Sequence, residues 1–443
     1  MRTLTSPRLL NRLGISAGNI NQPLSIDGID APARETIPTL GMRFRLARFI
    51  KQSLKSAFNH GTIGRYRGSR GSLQEVPLRS QSLDLLKSFV HTPSPSGREI
   101  ELARLYRQYL SPLADRVTHD VMGNVTAILN PDAPMRIMLA GHMDEIGFMV
   151  HYISSDGFLH ISSIGGNDSV IADGQRVWVH GRERIAGVVG GKAMHLKSPE
   201  EQKQRPLLKE LWVDVGAASK DELAELVTIG DTVTIQTEFQ PLRQNRATAR
   251  AFDNKVGVFV VAEALRLIKE GGSLHPQVGI WSVATVQEEI GSRGAETAAF
   301  DIDPQVALAV DMGQALDYPK LITADQGEFY LGRGPGVPRG ANTNPVLFDM
   351  LVKVAKDNDI PYQVTATPGT SPTDARVLQT SRSGVAAALL EVPLRYMHTP
   401  CEVVSLDDVA NCARLLAEFC TQVTPETDFR PLADKDNVRS FDG

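Results

Sequence analysis

Residues 285–289 read Thr-Val-Gln-Glu-Glu, so Glu288 and Glu289 stand side by side directly after an apolar, β-branched run, Val278 to Val286. Two carboxylates at the end of a strand bound for a protein interior are costly unless a cation compensates them. Side chains of metal-ligand type recur in equivalent places. Ile137-Met-Leu-Ala140 leads into Gly141-His142-Met-Asp144, and Val306–Val310 leads to Asp311. Asp253 opens a helical stretch within Arg250-Ala-Phe-Asp-Asn-Lys255, and His398 follows a strand candidate at Val385–Val392. Two imidazoles with four carboxylates suit borderline divalent ions such as zinc, cobalt or manganese, and one carboxylate can bridge two of them. Two neighbouring ions activate water and polarise a carbonyl, so the expected chemistry is hydrolysis.

Taken singly, each residue has a plainer reading. Asp253 alone reads as a helix cap, His142 or His398 as a surface or core histidine, and the glutamate pair as a solvated strand end. Their joint placement favours ligands, because the carboxyl ends of strands in an open α/β sheet form a crevice where distant residues converge. Asp144, two residues beyond His142, is placed to set the tautomer of that imidazole.

The elements that must position these residues follow from periodicity. Leu83 to Val90 reads as helix, and Ser96-Gly-Arg-Glu99 as a capping box opening a second helix with Leu102, Leu105, Tyr106 and Tyr109 on one face. Strands are expected at Asn124–Leu129 and Ile137–Ala140. Short alternating runs then fill Phe148 to Thr248, among them Phe158–Ile161, Arg176–His180, Ile185–Val189, Leu211–Val215 and Thr232–Gln236, and they predict an inserted all-β domain over 151–248. Afterwards a helix is expected over Lys255–Glu270, strands at Gly279–Val286 and Val306–Val310, and a closing helix from Leu406 to Val423 with Ser405 as its N-cap. Alternating β and α segments predict an α/β body, residues 77–150 and 249–425, whose sheet is covered by helices on both faces.

With 443 residues, 42% hydrophobic and 22% charged, and a net charge of −4, the chain is a globular protein with no electrostatic case for nucleic acid or an anionic membrane as partner. No apolar run reaches the roughly 18 residues of a membrane helix. Cys401, Cys412 and Cys420 lack CxxC spacing, which argues against disulfides and thiolate zinc and for a reducing, cytoplasmic compartment. Up to Ser80 there are 13 Lys or Arg against four acids. This basic extension, residues 1–76, contains a candidate amphipathic helix, Met42 to Phe58, and reads either as a targeting or membrane-surface arm or as a disordered extension. Residues 426–443 form a tail.

The stretches AGHMDEIGFMV (140–150), GVVGGKAMHL (187–196), AFDNKVG (251–257), TVQEEIGSRGA (285–295), VDMG (310–313) and RYMHTPCE (395–402) together resemble the motif series of the tetrahedral, glutamyl-aminopeptidase-like enzymes, often labelled endoglucanase or cellulase M. The resemblance runs from about residue 78 to 425. It implies the phosphorylase/hydrolase-like di-zinc aminopeptidase fold with a mixed sheet, two divalent ions per subunit, and peptide substrates. It also implies that His142 and Asp311 each bind one ion, Glu289 and His398 flank the other, Asp253 bridges, Glu288 is the general base and Asp144 orients His142. The inserted β block, with His195, matches the family's dimerisation domain and implies a homo-dodecamer. One departure stands out: the family's Gly-Gly-Thr-Asp-Ala turn appears as Gly369-Thr-Ser-Pro-Thr-Asp374-Ala, at the expected substrate pocket.

Two other functions compete. A glycoside hydrolase needs two carboxylates across a sugar and leaves His142, His398 and Asp311 without a task. A β-domain scaffold with a vestigial site needs none of these ligands.

Overall fold

A computed structural model describes residues 78–432. The basic extension, including Met42–Phe58, lies outside the described residues, as does the end of the tail. Eleven strands form one mixed sheet. The chain enters it with β1 (Arg116–His119), β2 (Val125–Leu129) and β3 (Met135–His142). Six strands of a separate closed barrel come next in the chain: β4 (Gly147–Ile153), β5 (Leu159–Ile164), β6 (Arg176–His180), β7 (Arg184–Gly190), β8 (Trp212–Asp214) and β9 (Thr232–Ile235). The chain then returns to the sheet through β10 (Gln240–Leu242), β11 (Arg246–Ala249), β12 (Val278–Thr285), β13 (Val306–Gln314), β14 (Gly336–Gly340), β15 (Gln363–Thr367), β16 (Ala386–Arg395) and β17 (Glu402–Ser405). The order is β1-β2-β12-β3-β13-β16-β17-β11-β10, with β14 and β15 branching from β16.

The central strands β12, β3, β13 and β16 are mutually parallel, and nearly all their residues are buried. That is why they read as continuous apolar runs, since a parallel sheet is covered on both faces. Helices α1 (Ser80–His91), α2 (Ile100–Leu110) and α3 (Phe252–Gly271) pack on one face. The opposite face carries α4 (Arg293–Ile302). Helix α5 (Pro345–Asp357) joins the first face, α6 (Ala375–Gln379) the second, and α7 (Leu406–Gln422) the first. Helix α3 lies so close to β3 that a Cβ at Gly141 would sit 2.5 Å from the carbonyl carbon of Gly257. Only a glycine at 141 permits that approach, and it brings the start of α3 to the end of β3. The barrel has its own core, including Phe148, Leu159, Ile161, Val177, Val179, Val213 and Val233. Among the described residues no helix is long and apolar enough to cross a membrane.

Three local expectations need correction. Ser96 and Glu99 form no capping box: the Ser96 hydroxyl donates to Asp144 Oδ2 at 2.7 Å, and Glu99 Oε1 accepts from Gly97 N and Gln287 N. A buried carboxylate and an orphaned turn compete for both side chains more effectively than the helix end does. Ser405 occupies the N-cap position of α7, but its hydroxyl is buried without a partner. The strand through Val310 runs on to Gln314, because β16 pairs with it in register as far as Leu394.

Candidate metal centre

His142 is the last residue of β3, and Asp311 lies level with it in neighbouring β13, two residues beyond the Ala309–Ala140 pair. Side chains of matched residues in adjacent parallel strands share a face, so both project on the α4 side of the sheet. On the other flank of β3, β12 ends at Thr285 and the chain turns. Gln287 takes a left-handed conformation, φ 58°, which costs a non-glycine residue about 1–2 kcal/mol. Two buried carboxylates hold that turn. Asp144 Oδ1 accepts from Glu288 N at 2.9 Å, Asp144 Oδ2 from Glu289 N at 3.1 Å, and Glu99 Oε1 from Gln287 N at 3.2 Å. Asp144 thus holds the glutamate pair through its side chain and meets His142 Nδ1 twice, with its carbonyl at 3.0 Å and its Oδ1 at 3.4 Å.

The start of α3 answers the reading of Asp253 as a cap. Asp253 and Asn254 have non-helical dihedrals, so the regular helix begins at Lys255. Asn254 is the cap: its Oδ1 accepts from Gly257 N at 2.8 Å while its Nδ2 donates to the Val310 carbonyl. Asp253 is therefore released from the helix and faces the crevice.

His398 sits in the turn between β16 and β17 with φ 59°, its Nδ1 3.1 Å from the Gly166 carbonyl in the β5–β6 connection. Glu402 joins the site as well. Its Oε1 accepts from His398 N at 2.9 Å and its Oε2 from Asp253 N at 3.2 Å, so one buried carboxylate joins two site segments far apart in sequence. Glutamine at 402 would turn one acceptor into a donor facing an N–H. Glu402→Gln is expected to weaken zinc binding by about 10–100-fold with an unchanged circular dichroism spectrum. Titration calorimetry on the metal-free protein would measure this, and an unaltered isotherm would remove Glu402 from the site. Behind it, Glu145 accepts from Lys255 Nζ, Arg250 Nη1 and Ser94 N, an interior network that anchors both flanks of Asp253.

The side chains meet in two groups of three, His142 with Asp253 and Asp311, and Asp253 with Glu289 and His398; within each group the ligand atoms lie within 4.8 Å of one another. Asp253 Oδ1 is 3.3 Å from His142 Nε2 and its Oδ2 3.4 Å from His398 Nε2. Asp311 Oδ1 is 3.7 Å from His142 Nε2, and Glu289 Oε2 is 3.5 Å from His398 Nε2. Both imidazoles have Nδ1 against a backbone carbonyl, which leaves the Nε2 lone pairs pointing at the carboxylates. Burial opposes ionisation of Asp253, yet the nearby His142 and His398 imidazoles prevail and hold its carboxyl below the usual range. Glu289 is pushed well above it, by burial and then by the charge of Asp253; Asp311 is also raised, chiefly by burial. Such a crowd of interior carboxylates calls for cations, and mixed imidazole and carboxylate donors around one shared carboxylate fit a pair of divalent ions. Glu288 belongs to neither group. Its Oε2 is 3.8 Å from His142 Nε2, and burial followed by the charges of Asp311, Asp374 and Asp144 raises its carboxyl to about 9.

An α/β sheet gathering these ligands at its strand ends, interrupted by a barrel, defines a metal-dependent hydrolase. Residues 123–415 match the M42 glutamyl aminopeptidases. The chain belongs to that family and is a metal-dependent aminopeptidase. It is 36% identical to a lysyl aminopeptidase of Pyrococcus furiosus over 79% of this chain and 99% of that protein. Among solved structures it is similar to a TET aminopeptidase from a marine-sediment Thaumarchaeota archaeon, with 34% identity and a TM-score of 0.74 over 78% of this chain and 97% of the other. It is also similar to the Pyrococcus horikoshii TET1 peptidase, which assembles into a tetrahedron or a large octahedral shell, with 28% identity and a TM-score of 0.69 over 77% and 100%.

Proposed function

We propose that the chain removes residues from the free N-terminus of peptides, with His142 and Asp311 holding one ion, Glu289 and His398 a second, and Asp253 bridging. The observation that carries this reading is the pair of three-residue groups sharing Asp253, with Glu288 beside them and outside both. Zinc or cobalt suits these donors best, with manganese third. Such ions, when bound, lower the pKa of water and polarise the scissile carbonyl. Glu288 takes the proton of the attacking water onto its carboxylate and returns it to the nitrogen of the departing amine as the C–N bond breaks. Positive charge in the centre opposes the raised pKa of Glu288 and brings it toward neutrality, as a general base requires. Asp144 keeps Glu288 and Glu289 on their separate tasks by holding both backbone N–H groups.

The α/β body carries the chemistry, and the inserted barrel, which spans β4 to β9 rather than residues 151–248, carries self-association. Tyr152, Val188, Met194, Leu196 and Leu207 are exposed in or beside the barrel, an apolar surface of the kind that pairs subunits. With the assembly of the TET1 relative, they support a homo-dodecamer. Three free cysteines, two of them buried, agree with a reducing cytoplasmic setting.

The test is turnover of aminoacyl anilides before and after chelation. Activity is expected to vanish when ions are stripped, to return with zinc or cobalt, and to be absent on N-acetylated substrates. Full turnover after stripping, or equal cleavage of acetylated and free substrates, contradicts the proposal. Light scattering on the same sample checks the oligomer.

A further inference from the structure

The register of the central strands sets four side chains in one row across the crevice end of the sheet. Thr285 of β12 pairs with His142 of β3; Asp311 of β13 lies level with His142 and pairs with Glu391 of β16. All four share a face, as Val283, Ala140, Ala309 and Leu389, two residues earlier in each strand, share one packed cluster. A single stretch of chain is tied to both ends of this row. At one end Thr365 Oγ1 donates to Glu391 Oε2 at 2.9 Å, and at the other Thr285 Oγ1 donates to Asp374 Oδ2 at 2.7 Å. Residues 365–374 therefore span the row, about 14 Å across four strands. They include all but the last residue of the altered turn, and Pro368, Gly369 and Thr370 are exposed. A substrate residue entering between that loop and the row has His142 and Asp311 in the middle and Glu391 at the far end.

Glu391 is the one charged member of the row outside the two ligand groups. It is partly exposed, its only side-chain hydrogen bond is the one from Thr365, and it has no ion pair among the described residues. Glu391 packs over two glycines: a Cβ at Gly313 would lie 2.9 Å from Glu391 Cβ, and one at Gly336 would lie 2.8 Å from Glu391 Oε2. The Phe329 ring closes the same recess, 2.5 Å from the Gly313 position and 2.8 Å from the Gly336 position. A carboxylate with an open oxygen beside an aromatic ring is a setting for an alkylammonium or guanidinium group. The loop above contributes no opposing cation between 365 and 374.

We propose that Glu391 is a specificity-determining residue that selects peptides beginning with a positively charged side chain, lysine or arginine. The inference rests on the aminopeptidase reading, which places the first residue of the substrate at the metal centre. Glu391 stands one strand beyond Asp311, a reach that suits the side chain of that residue.

The experiment compares Lys, Arg, Leu and Glu anilides on the metal-loaded protein and on Glu391→Gln, with Glu391→Leu as a second variant. Wild type is expected to favour Lys and Arg over Leu. Both substitutions are expected to lower kcat/KM for Lys and Arg by at least about tenfold, chiefly through KM, and to move Leu by less than about twofold. A wild type that prefers Leu or Glu overturns the inference while leaving the aminopeptidase reading intact. An equal fall on all substrates also overturns it, because it means that Glu391 serves the common α-amine or the fold; unchanged values overturn it directly. Absence of turnover on every anilide by metal-loaded wild type defeats the aminopeptidase reading itself.

Discussion

Replacing Glu288 by glutamine is expected to lower kcat by about 10²–10⁴-fold, the range associated with loss of a positioned acid–base group, while the protein still binds its full complement of ions. Glu288 lies outside both groups of ligands, so the substitution leaves their donors in place. Its backbone N–H remains bonded to Asp144, so the turn through Gln287 keeps its shape. Glutamine is nearly isosteric but cannot take up a proton in the working pH range, and the attacking water then has no acceptor. Kinetics on a good anilide substrate, with plasma-emission analysis of bound metal on the same sample, separate chemistry from binding. Wild-type turnover in a fully loaded Glu288→Gln protein would refute the assignment, and loss of the ions would make Glu288 a ligand.

The second large effect is expected at Asp253. Its two oxygens face His142 and His398 separately, and it is the only residue common to both groups. Asp253→Asn supplies one neutral acceptor where two anionic ones stood, so both ion sites are affected together. Metal content is expected to fall at both sites and turnover by about 10³-fold or more, with only partial rescue by excess zinc. His398→Ala provides the contrast, because it removes a donor from one group only and is expected to leave the ion held by His142 and Asp311. Calorimetric titration of the stripped proteins should resolve two binding events in wild type, one in His398→Ala and neither at wild-type strength in Asp253→Asn. Two undisturbed events in Asp253→Asn would show that the carboxylate does not bridge.

Much of the site is legible in the sequence because its candidate ligands follow long apolar runs. Leu139 and Ala140 announce His142, and Val278 to Val286 announce Glu288 and Glu289; charged groups at the ends of buried strands are costly enough to demand explanation. Other features depended on partners distant in sequence. Ser96 and Glu99 have the spacing of a capping box, yet their hydrogen bonds go to Asp144 and to the turn at Gln287. Asp253 has the position of a cap, yet Asn254 caps the helix. Glu402 carries no local signal at all, since its significance lies in meeting two backbone N–H groups 149 and four residues away.

The sequence by itself determined which residue types were available and on which elements they stood, because hydrophobic periodicity and strand ends are local properties of the chain. Tertiary structure decided how those residues divide their work. The register of β3 against β13 set His142 level with Asp311, the left-handed turn at Gln287 separated Glu288 from Glu289, and the carboxylates of Asp144 and Glu402 held the remaining segments in place. These outcomes depend on competition among buried donors and acceptors that only the folded chain brings together, and in that competition local capping rules yielded to interior charge.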